Sequence, residues 1–303
     1  MSIYSRLSDV YAASEAMNIG KNTKLIIMSD VHRGIGNKKD NFAYNKELFC
    51  AVLGHYYKQQ FIYIELGDGE ELWENRSLCR IVEHYSDVYS LFRCFYLAGR
   101  FIMIYGNHDI VKRNERITDE CYRQYCGNIA QNKYPLFPEL DMKEGLRLRW
   151  QCGNRDVFLV HGHQVDLINS RLWRLSRFLV RRVWGPLEVL GIQDPTSAAK
   201  KPSKSGKIAA RMSRWSQNAK TPVICGHNHR FYFPKAGEPA YFNTGCCIYK
   251  DYITGIEISG GTIRLVKWSF RADSCGARRA ACETLGGPET IEKILSKRIE
   301  SDN

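Results

Sequence analysis

Phe101-Ile102-Met103-Ile104-Tyr105-Gly106-Asn107-His108-Asp109 runs an apolar stretch straight into a glycine and three polar residues. Such an unbroken apolar run suits a strand buried on both faces. Gly106 lets the chain turn sharply, so the polar trio stands at the strand's carboxyl end, the edge where open α/β sheets bind ligands. The design recurs four times. Residues 24–29 lead to Asp30 and His32, and Phe61–Leu66 leads to Gly67 and Asp68. Val157–Val160 leads to His161 and His163, and Pro222–Cys225 leads to His227 and His229. Six of the eight histidines lie at these five exits, a clustering that scattered core histidines would not produce.

Between the strands, Phe42, Leu48, Phe49, Val52, Leu53 and Tyr56 follow helical spacing and predict a helix over 42–59. Leu78, Ile81, Val82, Tyr85, Tyr89 and Phe92 predict another over 76–97. Strand and helix thus alternate through the first 110 residues, as in a layered α/β sheet. Beyond Gly145 strands dominate, at 146–151, 157–160, 222–225, 240–248, 252–258 and 262–269. These predict a second sheet packed on the first. The expected fold is α/β, a four-layer α-β-β-α sandwich of two mixed β-sheets over residues 24–270. Residues 1–23 read as a loosely held leader, and 271–303 as a peripheral tail.

At 44% hydrophobic residues the chain can build a real core, and no apolar run approaches the roughly 18–20 residues that cross a bilayer. The N-terminus lacks the basic-then-apolar profile of a signal peptide. Eleven cysteines, without a C-x-x-C pair and with Cys246 and Cys247 adjacent, read as reduced thiols in a cytoplasmic protein. The formal charge of +12 is concentrated, since residues 164–220 hold twelve Lys and Arg against three Asp and Glu. There Arg171, Arg174, Arg177, Arg181 and Arg182 interleave with Leu167, Ile168, Leu172, Trp173, Leu175, Phe178, Leu179, Val183 and Trp184. This helical basic insertion suits a lid over an anionic substrate or an anionic membrane surface, which would place the protein peripherally on a membrane. Nucleic acid is the weaker alternative partner, and a solvated hairpin with an apolar core stripe is the plain one. Lys200–Lys207 lacks the first glycine of a P-loop, and Ile208 stands where its Ser or Thr would be.

Asp, Asn and neutral His together suit borderline divalent metals. Asp30, His32, Asp68, Asn107, His161, His227 and His229 give seven such ligands from five strand ends. Seven exceed one tetrahedral ion and suit two ions sharing a carboxylate, which can clamp a phosphate and acidify a bridging water. His108 follows a ligand directly and can supply a proton or stabilise phosphoryl charge. Arg33 and Asn107 are candidate phosphate contacts, Arg33 through its forked guanidinium. Asp109 reads as orienting the loop or His108, His163 as a hydrogen-bonded loop histidine, and Glu71 and Trp73 as supporting residues behind the ligands.

The ordered set Asp-x-His, Gly-Asp, Gly-Asn-His-Asp, His and Gly-His-x-His, from about Lys24 to His229, resembles the calcineurin-like metallophosphoesterase superfamily. The resemblance implies a phosphohydrolase cleaving a phosphate ester or pyrophosphate bond with a hydroxide bridging two divalent ions, Mn²⁺ foremost, with Fe or Zn²⁺ as alternatives. It places Asp30, His32, Asp68 and His229 around one ion. Asp68, shared, with Asn107, His161 and His227 would hold the other, and His108 matches the catalytic histidine. Gly67-Asp68-Gly-Glu-Glu71-Leu-Trp73 is similar to the motif of the UDP-2,3-diacylglucosamine pyrophosphatases, which also carry a basic helical insertion. A membrane-face UDP-sugar-lipid pyrophosphatase and a nuclease are therefore alternatives, and a non-catalytic scaffold is the least favoured.

Overall fold

In the computed structural model, the described residues are 3–123, 135–151, 155–166, 173–180, 202–273 and 275–296. Leu25–Met28 (β2) shows how the layers arise. Its residues are all buried, Ile26 and Met28 in one apolar cluster and Leu25 and Ile27 in another. Successive side chains of a strand point to opposite faces, so a wholly apolar strand needs cover on both.

The first cover is helical. Lys46–Lys58 (α2), Leu78–His84 (α3) and Ser86–Leu97 (α4) pack Phe49, Val52, Ile81 and Phe92 against one face of a seven-stranded sheet. That sheet runs Arg278–Thr290 (β12), Thr262–Ala272 (β11), Tyr252–Ser259 (β10), β2, Ile62–Leu66 (β3), Phe101–Ile104 (β4), Met142–Lys143 (β5). Its other face meets a five-stranded sheet of Glu15–Ile19 (β1), Gly145–Trp150 (β6), Arg155–Val160 (β7), Val223–Cys225 (β8) and Tyr241–Asn243 (β9). Ile64, Leu66, Ile104, Leu148, Leu159 and Ile224 fill the space between. Ile3–Ala13 (α1) and Pro202–Ala219 (α6) cover the outer face of the second sheet, burying Leu7, Met212 and Trp215 against Phe158 and Val160. Trp173–Leu179 (α5) and Ile291–Ser296 (α7) are further helices among the described residues. The four-layer sandwich of two mixed sheets is thus present.

Several boundaries differ from expectation. The N-terminal stretch is not a loose leader over 3–19. Its strand β1 pairs in parallel with β6, and Leu7, Val10 and Ile19 are core residues. The tail is not peripheral either, because β12 pairs along β11, and Ile291 and Ile294 are buried. A boundary at 270 would cut β11. Strands β10 and β11 join the first sheet through β2, so the late strands are split between the two sheets. The helix expected over 76–97 breaks at Tyr85, and the strand expected over 240–248 shortens to Tyr241–Asn243. Cys79 and Cys121 form a disulfide with Cα atoms 5.1 Å apart, against the expectation of reduced thiols throughout. Adjacent cysteines and apolar neighbours said nothing about two residues 42 positions apart.

Of the insertion at 164–220, α6 is a core helix rather than a lid, with Ile208, Met212 and Trp215 on its buried side. Leu175 and Phe178 on α5 are exposed. The basic stripe expected over 167–172 and 181–201 lies outside the described residues. Among the described residues no helix is long and apolar enough to cross a membrane.

Candidate metal centre

The five exits lie at the carboxyl ends of β2, β3, β4, β7 and β8, and the packing of the two sheets brings them to one edge. Close approach is possible there because the chain turns abruptly. Asp30, His32, Asp68, His227 and His229 take positive φ values of 51°, 50°, 51°, 71° and 54°. Non-glycine residues rarely adopt this region, at a cost of roughly 1–3 kcal/mol each, and such strain concentrates at functional sites. At Gly106 a Cβ would collide with the Asp68 carboxylate, and at Gly226 with Ser29 and Asp30. Both glycines are therefore needed for the ligands to sit where they do.

Among the described residues, three groups of donor atoms result: Asp30, His32 and His229; His32, Glu71 and His108; and Asp68, His161 and His227. Asp30 Oδ2 accepts hydrogen bonds from the His227 backbone N–H at 2.9 Å and from the Ser29 hydroxyl. Its Oδ1 lies 3.1 Å from His229 Nε2. Asp68 Oδ1 accepts the His108 backbone N–H at 2.8 Å. Asp68 Oδ2 stands 3.1 Å from His161 Nε2 and 3.9 Å from His32 Nε2, so this oxygen of the third group also approaches the first. His161 Nδ1 donates to the Leu66 carbonyl at 2.9 Å, which orients the ring and leaves Nε2 for the site.

Electrostatics pull the same way. Burial alone would lower His161 and His229, but Asp68 and Asp30 around the first, and Asp30 beside the second, outweigh it and push each up to about 9. Burial would raise the Asp30 carboxyl, yet His229 and His161 hold it well below the usual range. For His227, burial prevails and lowers the imidazole.

These residues fit divalent cations. Asn107 Oδ1, His161 Nε2 and His227 Nε2 are buried and make no hydrogen bond, although buried polar atoms are ordinarily paired. The 3.1 Å approach of His161 to Asp68 lacks hydrogen-bond geometry. The Nε2 atoms of His32 and His229 face each other at 3.1 Å. Convergent nitrogen and carboxylate atoms, several of them without a hydrogen-bond partner, are what metal ligands present.

Behind the ligands, Glu71 accepts from His32 Nδ1 at 2.9 Å and from His108 Nδ1 at 2.8 Å. The His108 ring stacks on Trp73 with centroids 4.2 Å apart, and the Trp73 indole donates to the Asn107 carbonyl at 2.6 Å. Against burial, Glu71 and Asp68 raise His108. Asp109 accepts from the Gly106 and Gly69 backbones at 2.6 and 3.0 Å and pairs with Lys112, so it orders the loop as its position implied.

Arg33 is not a phosphate contact. Its side chain is fully buried, bidentate to Glu65 at 2.7 Å and bonded to Glu70 at 2.6 Å, above the rings of Tyr89 and Phe92. The chain at Arg33 pairs with Glu70, which turns the guanidinium into the core beside the site. His163 is buried, and its Nδ1 makes no hydrogen bond. Asp166 was missed: its Oδ2 is 3.5 Å from His227 Nε2 and 2.9 Å from Lys204 Nζ. Its signal was an acid three residues after His163, too common in turns to stand out.

Residues 23–231 match the family model described as calcineurin-like phosphoesterase. No curated protein sequence matches the chain. Similar solved structures include Vps29 from Chaetomium thermophilum, at 10% identity and a TM-score of 0.37 over 86% of this chain and 96% of that one. Another is a hypothetical protein from Thermus thermophilus, at 12% identity and a TM-score of 0.33 over 86% and 99%.

Proposed function

The chain belongs to the calcineurin-like phosphoesterase family, and from that premise we propose that it is a divalent-metal-dependent hydrolase of phosphoester bonds. The observation that supports this best is the position of Asp68 Oδ2 between His32 and His161, grouped with His161 Nε2 and His227 Nε2, which are buried and make no hydrogen bond. Asp30, His32, Asp68 and His229 would hold one ion, and Asp68, Asn107, His161 and His227 a second. The mixed imidazole, carboxylate and amide donors suit Mn²⁺ first, with Fe and Zn²⁺ as alternatives. Such ions, when bound, supply positive charge to phosphoryl oxygens and acidify water.

The chain's own residues supply the rest. Ser29 and the His227 N–H fix the angle of the Asp30 carboxylate, and the His108 N–H fixes that of Asp68. His108 has Nδ1 engaged by Glu71, which leaves Nε2 for proton transfer to the leaving oxygen. Its side chain is 24% exposed, so substrate can reach it.

Two variants separate these roles. Asp68→Asn should lose bound metal and hydrolysis together. His108→Ala should keep its metal and lose about 10²–10⁴-fold in kcat. Unchanged turnover of His108→Ala on both aryl and alkyl esters would remove His108 from the mechanism.

A further inference from the structure

His108 sits inside a closed ring of chain. The Cys79–Cys121 bond joins two stretches that lead away from the site. Cys79 lies at the start of α3, just after the Glu71–Trp73 loop, and Cys121 lies in the segment that follows Gly106–Asp109. The first loop holds the His108 side chain, through Glu71 at 2.8 Å and the Trp73 ring at 4.2 Å, and the second carries it. Beside the bond, the Tyr122 hydroxyl is 3.5 Å from Glu70, and Glu70 pairs with Lys112 at 2.5 Å. Lys112 pairs with Asp109 at 2.7 Å, and Asp109 accepts the Gly106 N–H at 2.6 Å. Buried contacts thus run from the disulfide to the turn bearing Asn107 and His108.

Two observations set this bond apart from a permanent brace. The segment it fastens has little stability of its own. Ile110–Arg113, Glu115–Thr118 and Asp119–Arg123 are short helical turns, and the Lys112, Asn114 and Ile117 N–H groups bond to carbonyls only three residues back. Turns this short are unstable alone, so the segment depends on its tertiary fasteners. The second observation is that Cys94, Cys275 and Cys282 are exposed and unpaired in the same chain. Where conditions leave exposed thiols free, a disulfide is usually transient or redox-sensing. Cys79 is only half-buried, so a reductant can reach its sulfur, whereas Cys121 is 2% exposed.

We propose that Cys79–Cys121 is a reversible thiol–disulfide switch on the His108 loop, active when oxidised and slowed when a dithiol reduces it. The inference rests on the phosphoesterase reading above. A thiolate of the dithiol attacks the Cys79 sulfur and expels Cys121 as a thiolate, which takes up a proton. The second thiolate of the dithiol then closes its own disulfide and expels Cys79, which is protonated in turn. Two electrons pass to the protein, and the dithiol leaves oxidised. With the bond open, residues 110–123 are held by Lys112–Glu70 and by packing of Tyr122 on Phe137, and the His108 ring loses its fixed place. A misplacement of about 1 Å can cost on the order of 10²-fold in rate.

The test measures p-nitrophenyl ester hydrolysis by the Mn²⁺-loaded protein before dithiothreitol, after it, and again after oxidised glutathione. Thiol alkylation mapping, metal analysis and circular dichroism are run on each sample, and the double variant Cys79→Ala/Cys121→Ala is treated in parallel. Reduction should free Cys79 and Cys121, lower kcat about tenfold or more with the fold and metal content kept, and be reversed by reoxidation. The double variant should turn over at the reduced rate throughout. An unchanged kcat in protein shown to be reduced would overturn the inference. So would an equal loss in the double variant, which would place the effect on the metals, or a bond that opens only with unfolding. If the oxidised protein hydrolyses nothing, the phosphoesterase reading fails instead, and amide hydrogen exchange decides for the switch. Faster exchange over residues 106–123 on reduction, reversed by reoxidation, supports it, and unchanged exchange overturns it.

Discussion

Glu71 accepts a hydrogen bond from His108 Nδ1 at 2.8 Å through one carboxylate oxygen. Through the other it takes His32 Nδ1 at 2.9 Å, so one side chain orients both a proposed metal ligand and the proposed acid. Neighbouring His108 and His32 outweigh burial and keep that carboxyl well below its usual range. An ionised acceptor fixes both rings with Nδ1–H toward it and Nε2 outward. Glu71→Gln keeps the shape but offers one oxygen in place of two charged ones. The variant should retain metal and KM while kcat falls about 10–100-fold, the usual effect of losing a group behind metal ligands. Steady-state kinetics with metal analysis on the same sample decide it. A fall in metal content matching the fall in kcat would make Glu71 a ligand support only.

Arg33 anchors the carboxylates beneath the site. Its removal in Arg33→Met leaves Glu65 without the guanidinium and Glu70 with Lys112 as a remaining cationic partner. Breaking a buried ion pair costs about 3–5 kcal/mol. Urea unfolding should show a midpoint lowered by the equivalent of that amount, with an unchanged slope. A stability equal to wild type, combined with weaker substrate binding, would restore Arg33 as a substrate contact.

The Cys79–Cys121 bond ties the start of α3 to a segment 42 residues on. Loss of a disulfide that closes a loop of this size costs about 2–4 kcal/mol. Non-reducing peptide mapping should recover the linked pair, and a reductant should lower the unfolding midpoint of the wild type. The same reductant should have no effect on Cys79→Ser. Two free thiols at these positions in the oxidised protein would contradict the pairing.

The strand exits were legible because their signal is doubled: an unbroken apolar run such as Leu25–Met28 cannot be half exposed, and polar residues follow at its end. That pattern carried the layers and brought out Asp30, Asp68, Asn107 and the candidate ligand histidines. Long-range pairing was not legible. Nothing local in Glu15–Ile19 reveals that its partner β6 begins only at Gly145, since only Ile19 in that strand is fully buried. Arg33 was misread for a related reason. A guanidinium next to a ligand looks like a phosphate contact until the distant partners Glu65 and Glu70 are known. Asp166 and the double role of Glu71 depend likewise on which turns meet in space.

The most direct measurement is hydrolysis of p-nitrophenyl phosphate and bis-p-nitrophenyl phosphate by the purified protein, with and without Mn²⁺, alongside metal analysis of the same preparation. About two ions per chain and turnover of at least one ester are expected, with loss of both after chelation and recovery on adding Mn²⁺. A well-folded protein that binds no metal even after reconstitution, and turns over neither ester, would contradict the phosphoesterase reading and leave the fold as a scaffold.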